Sequence, residues 1–100
     1  MALIKVADES EITEDIGFLT DIDGIPIAIF KIGGEYFAID NTCHHKGGPL
    51  NEGEVEDHIV TCPLHGWQYD LTTGMCLTMP GVQMKTYPVQ VKEDGVYLDA

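Results

Sequence analysis

The 100-residue chain has no arginine, and its five lysines (Lys5, Lys31, Lys46, Lys85 and Lys92) face seventeen Asp and Glu, for a formal net charge of −12 at pH 7. A surface this acidic repels phosphate backbones, which excludes nucleic acid as a partner class. The same charge suits a basic patch on a partner protein, and it also simply keeps a protein in solution. No run of 18 or more apolar residues exists, so no transmembrane helix is expected. The N-terminus, MALIKVADESEI, has neither a long apolar core nor a twin arginine, so no export signal is read and a cytoplasmic protein with no membrane contact is expected. Cysteine is scarce as well: three residues, an odd number, do not make a disulfide framework. There is no internal repeat, low-complexity stretch or linker, and a single domain over residues 1–100 is expected. A domain of this size buries only about two thirds of its unfolded surface, so a tightly bound inorganic group would add needed stability.

Long helical periodicity is absent too, and short strands fill the chain instead. Residues 3–6 read as an opening strand, and residues 8–15 (DESEITED) as a loop or a single helical turn. Residues 17–22 and 26–32 straddle Asp23-Gly24, a hairpin signal, and Gly33-Gly34 turns the chain into a strand over 35–40. Strands are expected at 57–61 and 67–71, then along the alternating stretch 85–92, with Asp94-Gly95 turning into 96–98. Such spacing with Gly-rich turns predicts an all-β sandwich or barrel.

Between these strands lie two loops of unusual composition. One holds Cys43-His44-His45; after sixteen intervening residues the other opens with Cys62-Pro63-Leu64-His65. Each loop offers one thiolate and one imidazole, and Gly47-Gly48-Pro49 and Pro63 with Gly66 let the backbone bend close to a ligand. Two Cys and two His suit a two-iron, two-sulfide cluster with His₂ on one iron. Zinc also accepts Cys₂His₂, making a small interaction module, but its knuckles usually keep both cysteines together, whereas here each loop is mixed. Cys76 has no histidine companion and reads as a small buried hydrophobe. His58 likewise lacks a ligand-like neighbour, and Trp67 and Phe37 read as core.

The chain resembles the Rieske family over nearly its whole length. The resemblance is carried by Cys43-His44-His45-Lys46-Gly47-Gly48-Pro49-Leu50 and by Cys62-Pro63-Leu64-His65-Gly66-Trp67-Gln68-Tyr69-Asp70, continued by Thr73-Gly74, Pro80-Gly81 and Tyr87-Pro88-Val89. It implies stacked antiparallel sheets with a small cluster-binding subdomain, made of loops over about residues 41–50 and 62–67 and covered by a proline-containing loop over about 78–82. It further implies one [2Fe-2S] cluster, with Cys43 and Cys62 on one iron and His45 and His65 on the other. The high-potential, membrane-anchored branch carries a disulfide at the positions of Gly48 and Leu64 and a serine donor at that of Trp67. Their replacement here is similar to the soluble low-potential branch, the ferredoxin components of bacterial aromatic-ring dioxygenases. Tyr69 matches a tyrosine whose hydroxyl, in the high-potential branch, bonds a ligand sulfur; an aromatic core residue is the other reading.

The expected function is one-electron carriage from a reductase flavoprotein to a terminal oxygenase or another redox enzyme, docked partly by electrostatics. A small Rieske subunit of a larger enzyme, such as a nitrite reductase, is the alternative. Catalysis by the chain itself is not expected: a mononuclear iron needs two further histidines and a carboxylate, and of the chain's four histidines two are already used and His44 is pinned beside a ligand.

Overall fold

The computed structural model describes residues 3–43, 48–64 and 66–100. Its strands are β1 (Leu3–Ala7), β2 (Phe18–Ile22), β3 (Ile25–Ile32), β4 (Glu35–Asp40), β5 (Glu54–Glu56), β6 (Ile59–Thr61), β7 (Gln68–Asp70), β8 (Thr86–Tyr87), β9 (Val89–Lys92) and β10 (Gly95–Asp99). They form three antiparallel sheets, in the orders β1-β10-β9, β2-β3-β4-β8 and β5-β6-β7. Two 3-10 turns, Glu9–Glu11 and Leu50–Glu52, complete the regular structure among the described residues. None of its helices is long and apolar enough to cross a membrane.

The hairpins follow the turn chemistry. Asp23 and Gly24 both take positive φ (52° and 83°), which splices β2 to β3 with a twist matched to the strands; Gly33 and Gly34 (58° and 84°) do the same between β3 and β4. A third such turn, Asp57-His58 (51° and 65°), joins β5 to β6 without a glycine, so the strand expected over 57–61 begins only at Ile59. The stretch 85–92 is two strands rather than one. Pro88 has no N–H to donate and breaks the ladder, so β8 stays with β4 while β9 moves to the sheet of β10. The Pro88 carbonyl then accepts the Asp99 N–H at 3.1 Å.

The middle sheet is covered on both faces, and β3 shows why. Side chains alternate across a strand. Ile27 and Ile29 join Ala7, Ile12, Ala38, Tyr87, Val96 and Leu98 in one core, against β1 and β10. Their neighbours Ala28 and Phe30 face the other way, into a second core with Ile39, Leu50, Val60, Tyr69, Leu71 and Met84. Cys43, Cys62 and Cys76 belong to that second core, so the Cys/His loops are anchored in packed apolar structure. Each fully buried aliphatic or aromatic side chain there contributes roughly 1.5–3 kcal/mol.

Candidate metal centre

The first loop leaves β4 after Asp40 and returns at Leu50. Its two limbs are tied at the neck: Thr42 bridges Pro49, and the Cys43 N–H donates to the Gly48 carbonyl at 2.9 Å. The second loop leaves β6 after Thr61 and returns at Gln68. It is closed in the same manner, the Cys62 N–H donating to the Trp67 carbonyl at 2.7 Å, with Gly66 at φ 71° making the bend. In both loops the cysteine is the residue at the closing hydrogen bond, and both cysteines are almost wholly buried (2% and 1% exposed).

The loops meet at their cysteines. A Cβ built on Gly48 would stand 2.4 Å from Cys62 Sγ and 3.2 Å from Leu64 Cβ, so only glycine leaves the Cys62 sulfur in its present place. Positions 48 and 64 therefore oppose one another across the two loops, as expected if the other branch joins them by a disulfide. Burial pushes the Cys62 thiol up from its ordinary pKa, against a lowering backbone hydrogen bond at Leu64; the adjoining Cys43 sulfur adds to the rise. A metal cation at these sulfurs reverses that balance, because coordinated thiols are deprotonated. Two soft, buried, adjacent sulfur donors on loops cut back to glycine fit an iron–sulfur group. His45 and His65, the other two expected ligands, lie outside the described residues, as do His44, Lys46 and Gly47.

Tyr69 fulfils both readings at once. Its ring is fully buried, and its hydroxyl lies 3.2 Å from Cys43 Sγ. Strand β7 holds it there, opposite Val60 on β6 and bridged to Cys76 on the other side.

The segment after β7 is stitched back over this end of the molecule. Leu77 N–H donates to the Gln68 carbonyl at 2.8 Å, and Gln68 N–H to Thr78 Oγ1 at 2.9 Å. The Cys76 N–H reaches the Val82 carbonyl at 2.9 Å, while Cys76 Sγ accepts the Met79 N–H at 3.3 Å. Cys76 is thus buried as expected, and it also serves as an acceptor that shapes the turn before Pro80. Asp70 terminates β7; hydrogen bonds from Thr72, first its hydroxyl and then its N–H, hold its carboxyl below the usual range, with nearby His58 contributing least. His58 itself sits edge-on to Phe37, ring centroids 5.3 Å apart, on the β5–β6 turn. Asn41, which the sequence reading passed over, is the one buried polar side chain among the described residues.

Comparison with known proteins agrees with this geometry. The Rieske [2Fe-2S] domain family matches residues 2–88. The 3-phenylpropionate/cinnamic acid dioxygenase ferredoxin subunit of Photorhabdus laumondii is 43% identical over 74 residues, 72% of this chain and 70% of that protein. The ferredoxin component of the naphthalene 1,2-dioxygenase system of Pseudomonas putida is 34% identical over 97 residues, 96% of this chain and 93% of its own. A chain in the complex of reduced oxygenase and oxidized ferredoxin in carbazole 1,9a-dioxygenase superposes with a TM-score of 0.87 at 30% identity, over 96% of this chain and 91% of that one. With two loops that meet at buried cysteines, three antiparallel sheets and relatives matched along 72% and 96% of its length, the chain belongs to the Rieske [2Fe-2S] family, among the ferredoxin components of bacterial aromatic dioxygenase systems.

Proposed function

We propose that this chain carries single electrons from a reductase flavoprotein to a terminal oxygenase, with Cys43, His45, Cys62 and His65 holding its cluster. The observation that carries this reading is the meeting of Cys43 and Cys62 in the second core, with the Tyr69 hydroxyl on the Cys43 sulfur. The [2Fe-2S] group, when bound, takes up and gives back one electron at a time. The chain's own residues exclude water behind the two sulfurs, donate to one of them, and present the loops outward. Cytoplasmic residence is part of the proposal; an odd count of three cysteines makes no disulfide framework.

Docking is proposed at the loop end. Leu64, Leu77 and Met79 are large apolar side chains left 44%, 52% and 45% exposed, on segments that meet at the cysteines. Residues 75–84 contain no charged side chain in a chain of net charge −12. Charge depletion with exposed methionine and leucine is how interface cores are composed. Acidic residues stand at the border: Glu52 and Glu54 line a depression floored by Cys62 and Pro63, whereas Asp57 is at the far end of the β5–β6 hairpin. Electron transfer to a basic partner is therefore expected to slow as ionic strength rises. Glu52→Gln with Glu54→Gln should flatten that dependence more than Glu56→Gln with Asp57→Asn. Stopped-flow rates across a salt series measure it, and a rate independent of salt in the parent protein would remove the electrostatic part of the proposal.

The reduction potential tests the site itself. Gly48, Leu64 and Trp67 stand where the high-potential branch has its disulfide and serine donor, so a potential nearer about −150 mV than about +300 mV is expected. The Tyr69 hydroxyl stabilises added negative charge on the Cys43 sulfur. Tyr69→Phe should lower the potential by some tens of millivolts, about 59 mV being a tenfold change for one electron. Protein-film voltammetry reads both values; a parent potential above about +200 mV would defeat the argument from missing donors.

A further inference from the structure

Asn41 sits at the neck of the first loop, 6% exposed. Its N–H donates to the Pro26 carbonyl on β3 at 2.9 Å. Its two acceptors then take two successive N–H groups from the returning limb: the Asn41 carbonyl takes that of Leu50 at 2.8 Å, and Asn41 Oδ1 takes that of Asn51 at 2.7 Å. One residue thus clamps both limbs two positions before Cys43. The clamp is backed from outside. A Cβ on Gly17 would lie 2.3 Å from the Asn51 carbonyl oxygen and 2.6 Å from its Cα, so the N-terminal segment presses directly on the residue that Asn41 holds. Leu50, caught between, is fully buried in the core that contains Cys43 and Tyr69.

We infer that Asn41 is a positioning residue for Cys43: by clamping Leu50 and Asn51 it sets the width of the loop and so fixes the Cys43 sulfur against Tyr69 and Cys62. The inference rests on the proposed role of Cys43 as an iron ligand. An asparagine is suited to the position. It supplies a side-chain acceptor at short reach without bringing a charge into a buried neck, and losing that acceptor strands the Asn51 N–H.

The experiment compares cluster-loaded protein carrying Asn41→Ala, Gly17→Ala or Val96→Ala. Val96 belongs to the other core, so its truncation lowers stability without touching the loop. Three readouts are taken: the g-values of the reduced protein by electron paramagnetic resonance, the rate of iron release to a ferrous chelator, and the melting temperature. Asn41→Ala, which removes the side-chain half of the clamp and leaves the Leu50 bond to the Asn41 carbonyl, and Gly17→Ala, which displaces Asn51, should both shift the g-values. Both should release iron roughly tenfold faster or more, or fail to load, while Val96→Ala loads and keeps parental g-values and release. Asn41→Asp, which retains the acceptor oxygen, should restore much of the slow release. Parental g-values and release in both Asn41→Ala and Gly17→Ala would overturn the inference, as would an equal shift in Val96→Ala. The ligand reading is judged separately: Cys43→Ser with full iron and sulfide would sink that reading, whatever Asn41 does.

Discussion

Cys43→Ser, Cys62→Ser, His45→Ala and His65→Ala are each expected to abolish the brown colour and the bound iron and sulfide, and to leave a poorly folded chain. The reason is energetic as well as chemical. Cys43 and Cys62 lie in the second core, so a cluster held by them would cross-link their loops and stabilise the fold that surrounds it. Removing a ligand loses that binding free energy and leaves two loops cut back to glycine with little apolar surface to keep them closed. Cys76→Ser is the control. Its sulfur accepts the Met79 N–H, a bond that a serine hydroxyl can take over, so iron and sulfide should stay at parental levels with a modest loss of stability. Iron and acid-labile sulfide assays with visible absorption decide the matter. Loss of the cluster in Cys76→Ser with retention in any of the four others would show that the ligands have been misassigned.

Gly74→Ala is expected to be the most damaging substitution outside the ligands. Gly74 sits at φ 82°, its N–H donates to the Asp70 carbonyl at 2.7 Å, and its carbonyl accepts the Met84 N–H at 2.7 Å. A Cβ there would come 2.1 Å from the Met84 carbonyl oxygen, a backbone atom that cannot swing aside. The left-handed backbone costs a non-glycine residue about 1–3 kcal/mol. Forcing apart two packed segments adds about 1–3 kcal/mol. A total near 3 kcal/mol or more corresponds to a melting-temperature drop of roughly 12 °C or more for a chain of this size. Gly24→Ala separates the two contributions: at φ 83° it shares the backbone cost, but nothing lies within 4 Å of the added carbon. Thermal unfolding of the two variants should therefore differ severalfold; similar losses would mean that Met84 yields freely and that its segment is loosely held against Gly74.

Legibility from sequence divides along physical lines. Candidate ligand chemistry is written in residue types, so Cys43, His45, Cys62 and His65 could be proposed without any knowledge of the fold; of these the structure describes Cys43 and Cys62, and brings them together. Glycine-bearing turns were equally plain, because Asp23-Gly24 and Gly33-Gly34 have few other uses. The place of the Asp57-His58 turn was not, since residues that merely tolerate positive φ leave no mark, and a strand was expected to start at 57 where the turn lies. Pro88 was visible, but its effect depended on which sheet each side would join. The Tyr69–Cys43 contact, 26 residues apart, was readable only as one of two options suggested by resemblance. Asn41 was invisible for a different reason: its acceptors serve backbone N–H groups ten or so residues away, and any sequence supplies those.

The placement of β3 between two cores has a consequence for how the protein resists damage. Ile27 to Phe30 form a shared wall, with no exposed face on either side. Such a strand opens only when the whole domain opens, so its amide protons belong to the most slowly exchanging class. Water, oxygen and chelators thus have no cheap route to the cysteines from behind. Attrition of the site should proceed from the loop end alone, which is also the end proposed for docking. A carrier of this build is most vulnerable in transit, between one partner and the next.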